Sequence, residues 1–170
     1  VSGLHIERPA EDNVGMFQSI SGAGGVDNLR LLDVSIRGKD FVGALVSSLG
    51  SLVSNVRVTG NVSGNSWVGG VVSGMQGATL SGVINEAAVT ASSDLAGGVI
   101  AFIESNAVMT GSYNTGTVTS GGGGAGLVAA LNGRVENSFN TGAVVGNGAG
   151  VNRGFGGIVG GVGSTGSLQD

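Results

Sequence analysis

One short apolar phrase recurs six times along this chain, and its spacing restricts the folds open to it. The phrase reads Val14-Gly15-Met16-Phe17, Val42-Gly43-Ala44-Leu45, Val68-Gly69-Gly70-Val71, Ala96-Gly97-Gly98-Val99, Ala125-Gly126-Leu127-Val128 and Gly156-Gly157-Ile158-Val159. Counted from Gly15, Gly43, Gly69, Gly97, Gly126 and Gly157, the steps are 28, 26, 28, 29 and 31 residues. A fixed period of this size marks a repeat architecture. Each unit is too small to bury a core of its own, so the units must stack on one another.

A second phrase lies inside each unit. It runs Val53 to Val62, Leu80 to Val89, Met109 to Val118 and Val135 to Val144, with first and last apolar residues nine apart each time. A looser version opens at Val26 and runs through Ile36. Length differences fall between the phrases in residues rich in Gly, Ser and Asn, such as 119–124 and 146–154, where surface turns are expected.

Composition separates a β solenoid from a helical one. Glycine supplies 36 of 170 residues and proline one. Glycine weakens a helix interior by roughly 1 kcal/mol against alanine, so every helical unit would be undermined. Apolar residues such as Val56, Val58 and Val62 also follow a period of two. The expected fold is all-β: one parallel β-helix over residues 1–170, with three short strands per rung of about 26–31 residues and repeats starting near 14, 42, 68, 96, 125 and 156. Right-handed winding is expected, as for most parallel crossovers. The opening Val1-Ser2-Gly3-Leu4-His5-Ile6 reads as the tail of a preceding rung, and the chain stops partway through a sixth. It is expected to be a segment of a longer chain that continues on both sides.

The two phrases resemble the GLUG repeat of large secreted bacterial surface proteins. The first phrase is matched best at Gly124 to Val128 and Phe155 to Gly160, and the second at Ser112 to Gly116 and Ser138 to Gly142. The resemblance covers nearly everything from Val14 onward. It implies a place in a filamentous haemagglutinin-like adhesin or in a non-catalytic region of an immunoglobulin A peptidase, outside the cell or on a bacterial surface. The third unit departs from the pattern with Asn85-Glu86-Ala87 in place of Asn-Thr-Gly.

Several columns appear when the units are aligned. Asn28, Asn55 and Asn137 share one, and Asn85, Asn114 and Asn140 another; both are expected to stabilise turns, since Asn tolerates left-handed backbone and bonds along a stack. Ile84, Tyr113 and Phe139 form a third, expected to stack between rungs. Phe41, Trp67, Leu95 and Phe155 precede the repeated glycine. The first strand is apolar on both faces, and the Phe17, Leu45, Val71, Val99, Val128, Val159 column is assigned to the core. The opposite face is either covered by the chain's own turns or left as an apolar strip for another protein.

Charge and site chemistry narrow the function. With 11% charged residues, a net charge of −4 and a single Lys, the chain has no basic stripe for a nucleic acid. No apolar run approaches the eighteen residues or so of a membrane span. Absence of Cys excludes disulfides and thiolate metal sites, and no calcium-type cluster is present. His5 lies near Glu7, Glu11 and Asp12 in a segment expected to be a solvated loop, and the remaining acids are scattered. No cofactor, metal or catalytic residue is expected. The expected role is a non-enzymatic structural and adhesive module, with Tyr113, Asn114, Thr115, Phe139, Asn140 and Thr141 as candidate contact residues for a host or neighbouring-cell glycan or protein. The alternatives are an accessory β-helix of a secreted peptidase or polysaccharide-degrading enzyme and, on the triplet Thr115, Thr117, Thr119, an ice-binding protein.

Overall fold

The computed structural model describes residues 1–147 and 154–169, so most of the 146–154 turn lies outside the described residues. The described elements are all strands, joined by parallel pairing into three sheets. The fold is a parallel β-solenoid of about five turns, as the repeat spacing predicts.

One rung can be followed through Asp40–Gly43, Val46–Ser54 and Arg57–Gly64, three strands with one on each sheet. The next rung begins with Ser66–Gly69 and then breaks both longer strands in two, giving Val72–Met75, Thr79–Ser81, Ile84–Asn85 and Ala88–Ala91. Val46–Ser54 pairs with the first two of these pieces, and Arg57–Gly64 with the last two. The first break comes at Gln76-Gly77-Ala78, where Gly77 has a φ of 58°. Left-handed backbone there turns the chain without a side-chain penalty.

Register defines the columns. Val14, Val42, Val68, Ala96, Gly124 and Phe155 are successive partners, as are Gly43, Gly69, Gly97, Ala125 and Gly156. The expected column of glycines therefore holds for Gly15, Gly43, Gly69 and Gly97 and slips by one afterwards: Ala125 and Gly156 occupy it, while Gly126 and Gly157 follow them. The repeats at the fifth and sixth positions accordingly begin at 124 and 155. Phe155 leaves the Phe41–Trp67 column for the same reason. A Gly-Gly pair looks the same in either register by sequence; the backbone ladder decides between them.

The inside is a set of apolar columns. Ile36, Val62, Val89 and Val118 make one, and Val53, Leu80, Met109 and Val135 another, each residue at 0 or 1% exposure. Complete burial of such a side chain contributes about 1.5–3 kcal/mol. The doubly apolar first phrase has a definite outcome. Val46, Val72, Ile100 and Val128 form the column that continues to Val159 and begins at Phe17, whereas Leu45, Val71, Val99 and Leu127 form its neighbour, and all eight residues are fully buried. The predicted core column mixed the two. These eight residues leave no exposed apolar face, because the chain bends between the sheets at Ala44-Leu45 and its equivalents, and strict in-out alternation does not carry through a bend. Phe17 is 38% exposed at the start of its column.

The glycine-rich stretch 119–124 also differs from its expected role. Residues 120–124 are buried, and a Cβ on Gly121 would strike the Ser92 carbonyl of the previous rung. Glycine permits close backbone approach at this position.

Candidate functional site

The second phrase places each of its residues differently. Its turn column reads Asn28, Asn55, Gly82, Gly111, Asn137, and all five have φ between 46° and 60°. Their N–H groups follow the ladder, Asn55 to Ser81, Gly82 to Thr110 and Gly111 to Glu136. Asn and Gly are the residues that enter this left-handed region at least cost, which is why the column holds only these two.

The next position changes from Val56 and Val83 to Ser112 and Ser138. Ser112 Oγ accepts from the Val83 N–H at 3.1 Å and donates to the Thr110 carbonyl at 2.9 Å; Ser138 Oγ repeats the pattern with Ser112 N and Glu136 O. Ser112 is fully buried with these bonds made. Buried hydroxyls need such partners.

Then comes the outward aromatic step. Ile84 pairs with Tyr113 and Tyr113 with Phe139, as expected, and the two rings stack at a centroid distance of 4.9 Å and an interplanar angle of 7°. Below Ile84 the same column continues to Arg57 and Arg30. Arg57 makes a forked pair with Glu86, with its closest contact at 2.8 Å. An exposed forked pair of this kind orients the guanidinium more than it stabilises the fold.

The step after it turns inward. Leu31, Val58, Asn85, Asn114 and Asn140 form one column, apolar in its first two members and amide in the last three. Asn85 and Asn114 are fully buried. Each Asn holds the residue two places on with both ends of its amide: Nδ2 donates to the carbonyls of Ala87, Gly116 and Gly142, and Oδ1 accepts from their N–H groups. Asn114 is therefore removed from the candidate contact set, since its amide is engaged inside the solenoid, whereas the Asn140 amide makes the same bonds at a half-exposed position. Of the six predicted contact residues, Thr115, Phe139 and Thr141 are exposed and Tyr113 and Asn140 are half-exposed. Gly116 and Gly142 complete the phrase, because a Cβ on either would meet the carbonyl of the rung below.

Several ionisable groups outside this phrase are engaged across rungs. His5–Glu7 is a strand paired with Ser35–Arg37, not a loop, and Glu7 meets Arg37 at 3.2 Å. Lys39 lies 3.2 Å from Asp12 and 3.4 Å from Asp40, and hydrogen bonding to Asp12 first, then Asp40, raises its pKa. Hydrogen bonds from Ser54 above all, and also from Asn55, hold the Asp27 carboxyl below its ordinary value. Among the described residues no group of three or more His, Cys, Asp or Glu is placed to hold a metal. No helix among them is long and apolar enough to cross a membrane.

No family model matches the chain, and no solved structure matches it. A segment of 72 residues, 42% of the chain, is 36% identical to Halomucin from Haloquadratum walsbyi. The aligned segment is 1% of that protein's length, so the chain spans only a small part of the relative it matches.

A second aromatic group was not legible in the sequence. Phe41 and Trp67 stack at 6.3 Å and 12°, and Phe102 meets Trp67 edge-on at 5.2 Å. Phe102 belongs to a different strand and to no column of large residues, which is why periodicity did not connect it with the other two. Phe41 and Trp67 also have φ of 57° and 56°. Bulky residues held there carry a strain of about 1–3 kcal/mol each.

Proposed function

We propose that the chain is a stiff, non-enzymatic spacer and contact module of a large secreted cell-surface protein of the GLUG-repeat kind. The observation that carries this reading is the continuity of the interior: apolar columns run from rung to rung, and the Asn85, Asn114, Asn140 ladder ties three rungs together, which suits a stiff rod. Several carboxylates and basic groups are held in rung-to-rung pairs, as in Arg57–Glu86, Arg37–Glu7 and Lys39–Asp12. The partial identity to Halomucin, a protein about a hundred times longer than the aligned segment, supports a place in a very large chain. The resemblance to surface-protein repeats supports an extracellular location.

Contact falls to the outward column. Tyr113 and Phe139 present stacked rings, Thr115 and Thr141 flank them with exposed hydroxyls, and Arg57 and Arg30 continue the column. Flat apolar faces beside hydroxyls and guanidinium groups suit a glycan or a protein surface. Contact by one segment is weak, and many displayed copies raise it by effective concentration.

The test uses the purified chain in solution and coupled to beads. In solution it should turn over no polysaccharide or peptide. On beads it should adhere to cells or glycan-coated surfaces, and the double variant Tyr113→Ala, Phe139→Ala should adhere less while keeping its strand spectrum. Turnover that co-purifies with the chain through several columns would sink the spacer reading. Unchanged adhesion of the double variant would sink only the proposed face.

A further inference from the structure

Eight non-glycine residues among those described have left-handed backbone: Asn13, Asn28, Asp33, Asn55, Asn106 and Asn137, which tolerate it, and Phe41 and Trp67, which do not. Asn13, Phe41 and Trp67 immediately precede the paired residues Val14, Val42 and Val68, so they occupy one column on three successive rungs. Its first member shows that the position accepts Asn. The chain nevertheless keeps two large rings where the backbone conformation disfavours them, and such outliers cluster at ligand-holding sites.

The rings are arranged as a floor and a wall. Phe41 and Trp67 lie nearly parallel, and Phe102 stands at 80° to Trp67. Gly74 makes room for the wall, since a Cβ there would come within 2.6 Å of the Phe102 ring. Phe41 is 36% exposed, and Trp67 and Phe102 are half-buried, so the ring surfaces stay accessible to solvent. A depression beside Phe41 and Phe102 is rimmed by Asn13, Ser48, Gln76 and Glu104. A second depression shares Gln76, Phe102 and Glu104 and extends the groove along the solenoid to Asn106 and Asn132.

We propose that Phe41 and Phe102, each packed against Trp67, line a binding site for a neutral oligosaccharide, with the Gln76 amide and the Glu104 carboxylate orienting its hydroxyl groups. Sugar rings present flat C–H faces that pack on aromatic rings, and their equatorial hydroxyls require amide and carboxylate partners at the edge. The lining contains no Lys or Arg and one acid, Glu104. It therefore lacks the cations that a sulfated or phosphorylated chain requires. The groove crosses several rungs, which suits an extended glycan over a monosaccharide. This site is separate from the Tyr113–Phe139 face and does not rest on the adhesive reading of that face.

Trp67 is the chain's single tryptophan, and its ring contacts with Phe41 and Phe102 make its emission a reporter of the site. Neutral oligosaccharides derived from cellulose, chitin, xylan and mannan are titrated against the intact chain, with heparin and an aromatic-rich peptide as competing ligand classes. At least one neutral oligosaccharide should shift and saturate Trp67 emission, with little dependence on salt. Phe41→Asn should bind about tenfold more weakly, while melting at or above the parent temperature, because Asn suits the left-handed backbone. Gln76→Ala, on the exposed rim, should weaken binding several-fold without touching the rings. Tyr113→Ala, Phe139→Ala should leave the emission response unchanged. The proposal is overturned if no neutral oligosaccharide perturbs Trp67, if heparin or the peptide binds in preference, or if Gln76→Ala binds as the parent does. A sharply lower melting temperature for Phe41→Asn would make the rings packing elements and overturn it equally.

Discussion

Asn85 donates a hydrogen bond from Nδ2 to Oδ1 of Asn114 at 2.7 Å, across 29 residues of sequence and one rung of the solenoid. Asn114 passes the pattern on to Asn140 at 2.8 Å, and Asn140 donates to the Gly157 carbonyl at 2.9 Å. With its local bonds to Gly116, the Asn114 side chain has both amide hydrogens and both oxygen lone pairs engaged.

Asn114→Ala should therefore be among the most damaging single changes in the chain. It leaves one Asn85 amide hydrogen and the Gly116 N–H and carbonyl without their partners inside the solenoid, and it removes one of the two donors to Asn140 Oδ1. The expected loss is about 2–4 kcal/mol, read from urea unfolding. Asn85→Val should cost less, because Asn85 ends the ladder and the rung before it already carries Val58 in the same column. Equal losses for the two would show that the ladder does not act as a connected unit.

The repeated glycines should divide by column. A Cβ on Gly97 would fall on the Ile100 carbonyl oxygen and lie 3.1 Å from the Leu127 carbonyl oxygen, whereas a Cβ on Gly157 meets nothing within 4 Å. Gly97→Val should cost roughly 3 kcal/mol or more. Gly157→Ala should stay within about 0.5 kcal/mol of the parent. Thermal melts of the two variants decide the matter, and similar melting temperatures would contradict the register described above.

The Tyr113–Phe139 stack should contribute modestly to stability, since Phe139 is 52% exposed. Phe139→Ala is expected to lose about 0.5–1.5 kcal/mol and to leave the circular dichroism spectrum unchanged. A variant that lost its strand signal would show the stack to be essential to the fold.

Acid should loosen the Asp27 turn. Its carboxyl titrates below the ordinary value because Ser54 and Asn55 donate to it in the folded chain, so the folded state holds the charged form more strongly than the unfolded chain does. That contribution is present at pH values above the unfolded carboxylate pKa of about 3.9 and is lost as pH falls through the lower folded value. Asp27→Asn should show a shallower fall in melting temperature than the parent below about pH 4. An identical acid dependence in both would show that the carboxylate does not contribute.

Legibility varied with the kind of information each residue carries. The left-handed turn column was readable at Asn28, Asn55 and Asn137 because the residues that suit that backbone are few. The Ile84–Tyr113–Phe139 column was readable because the spacing of the phrase preserves it. Phe41 and Trp67 break the rule that made the turn column visible, so their backbone conformation had no sequence signal. Phe102 contacts Trp67 across 35 positions of chain, outside any repeat relation.

Period and composition were sufficient for the architecture: 36 glycines in 170 residues undermine helical units, and a unit of 26–31 residues must stack. The facing of individual side chains was settled only by the folded rungs. Tyr113–Asn114 and Phe139–Asn140 are strands of two residues, too short for any in-out alternation to be read along them. Whether the aromatic or the amide points inward depends on where the turns at Gly111 and Asn137 aim the strand. The same dependence moved Ala125 into the glycine column, since hydrogen bonding to the rung beneath selects one of two registers that a Gly-Gly pair leaves equivalent.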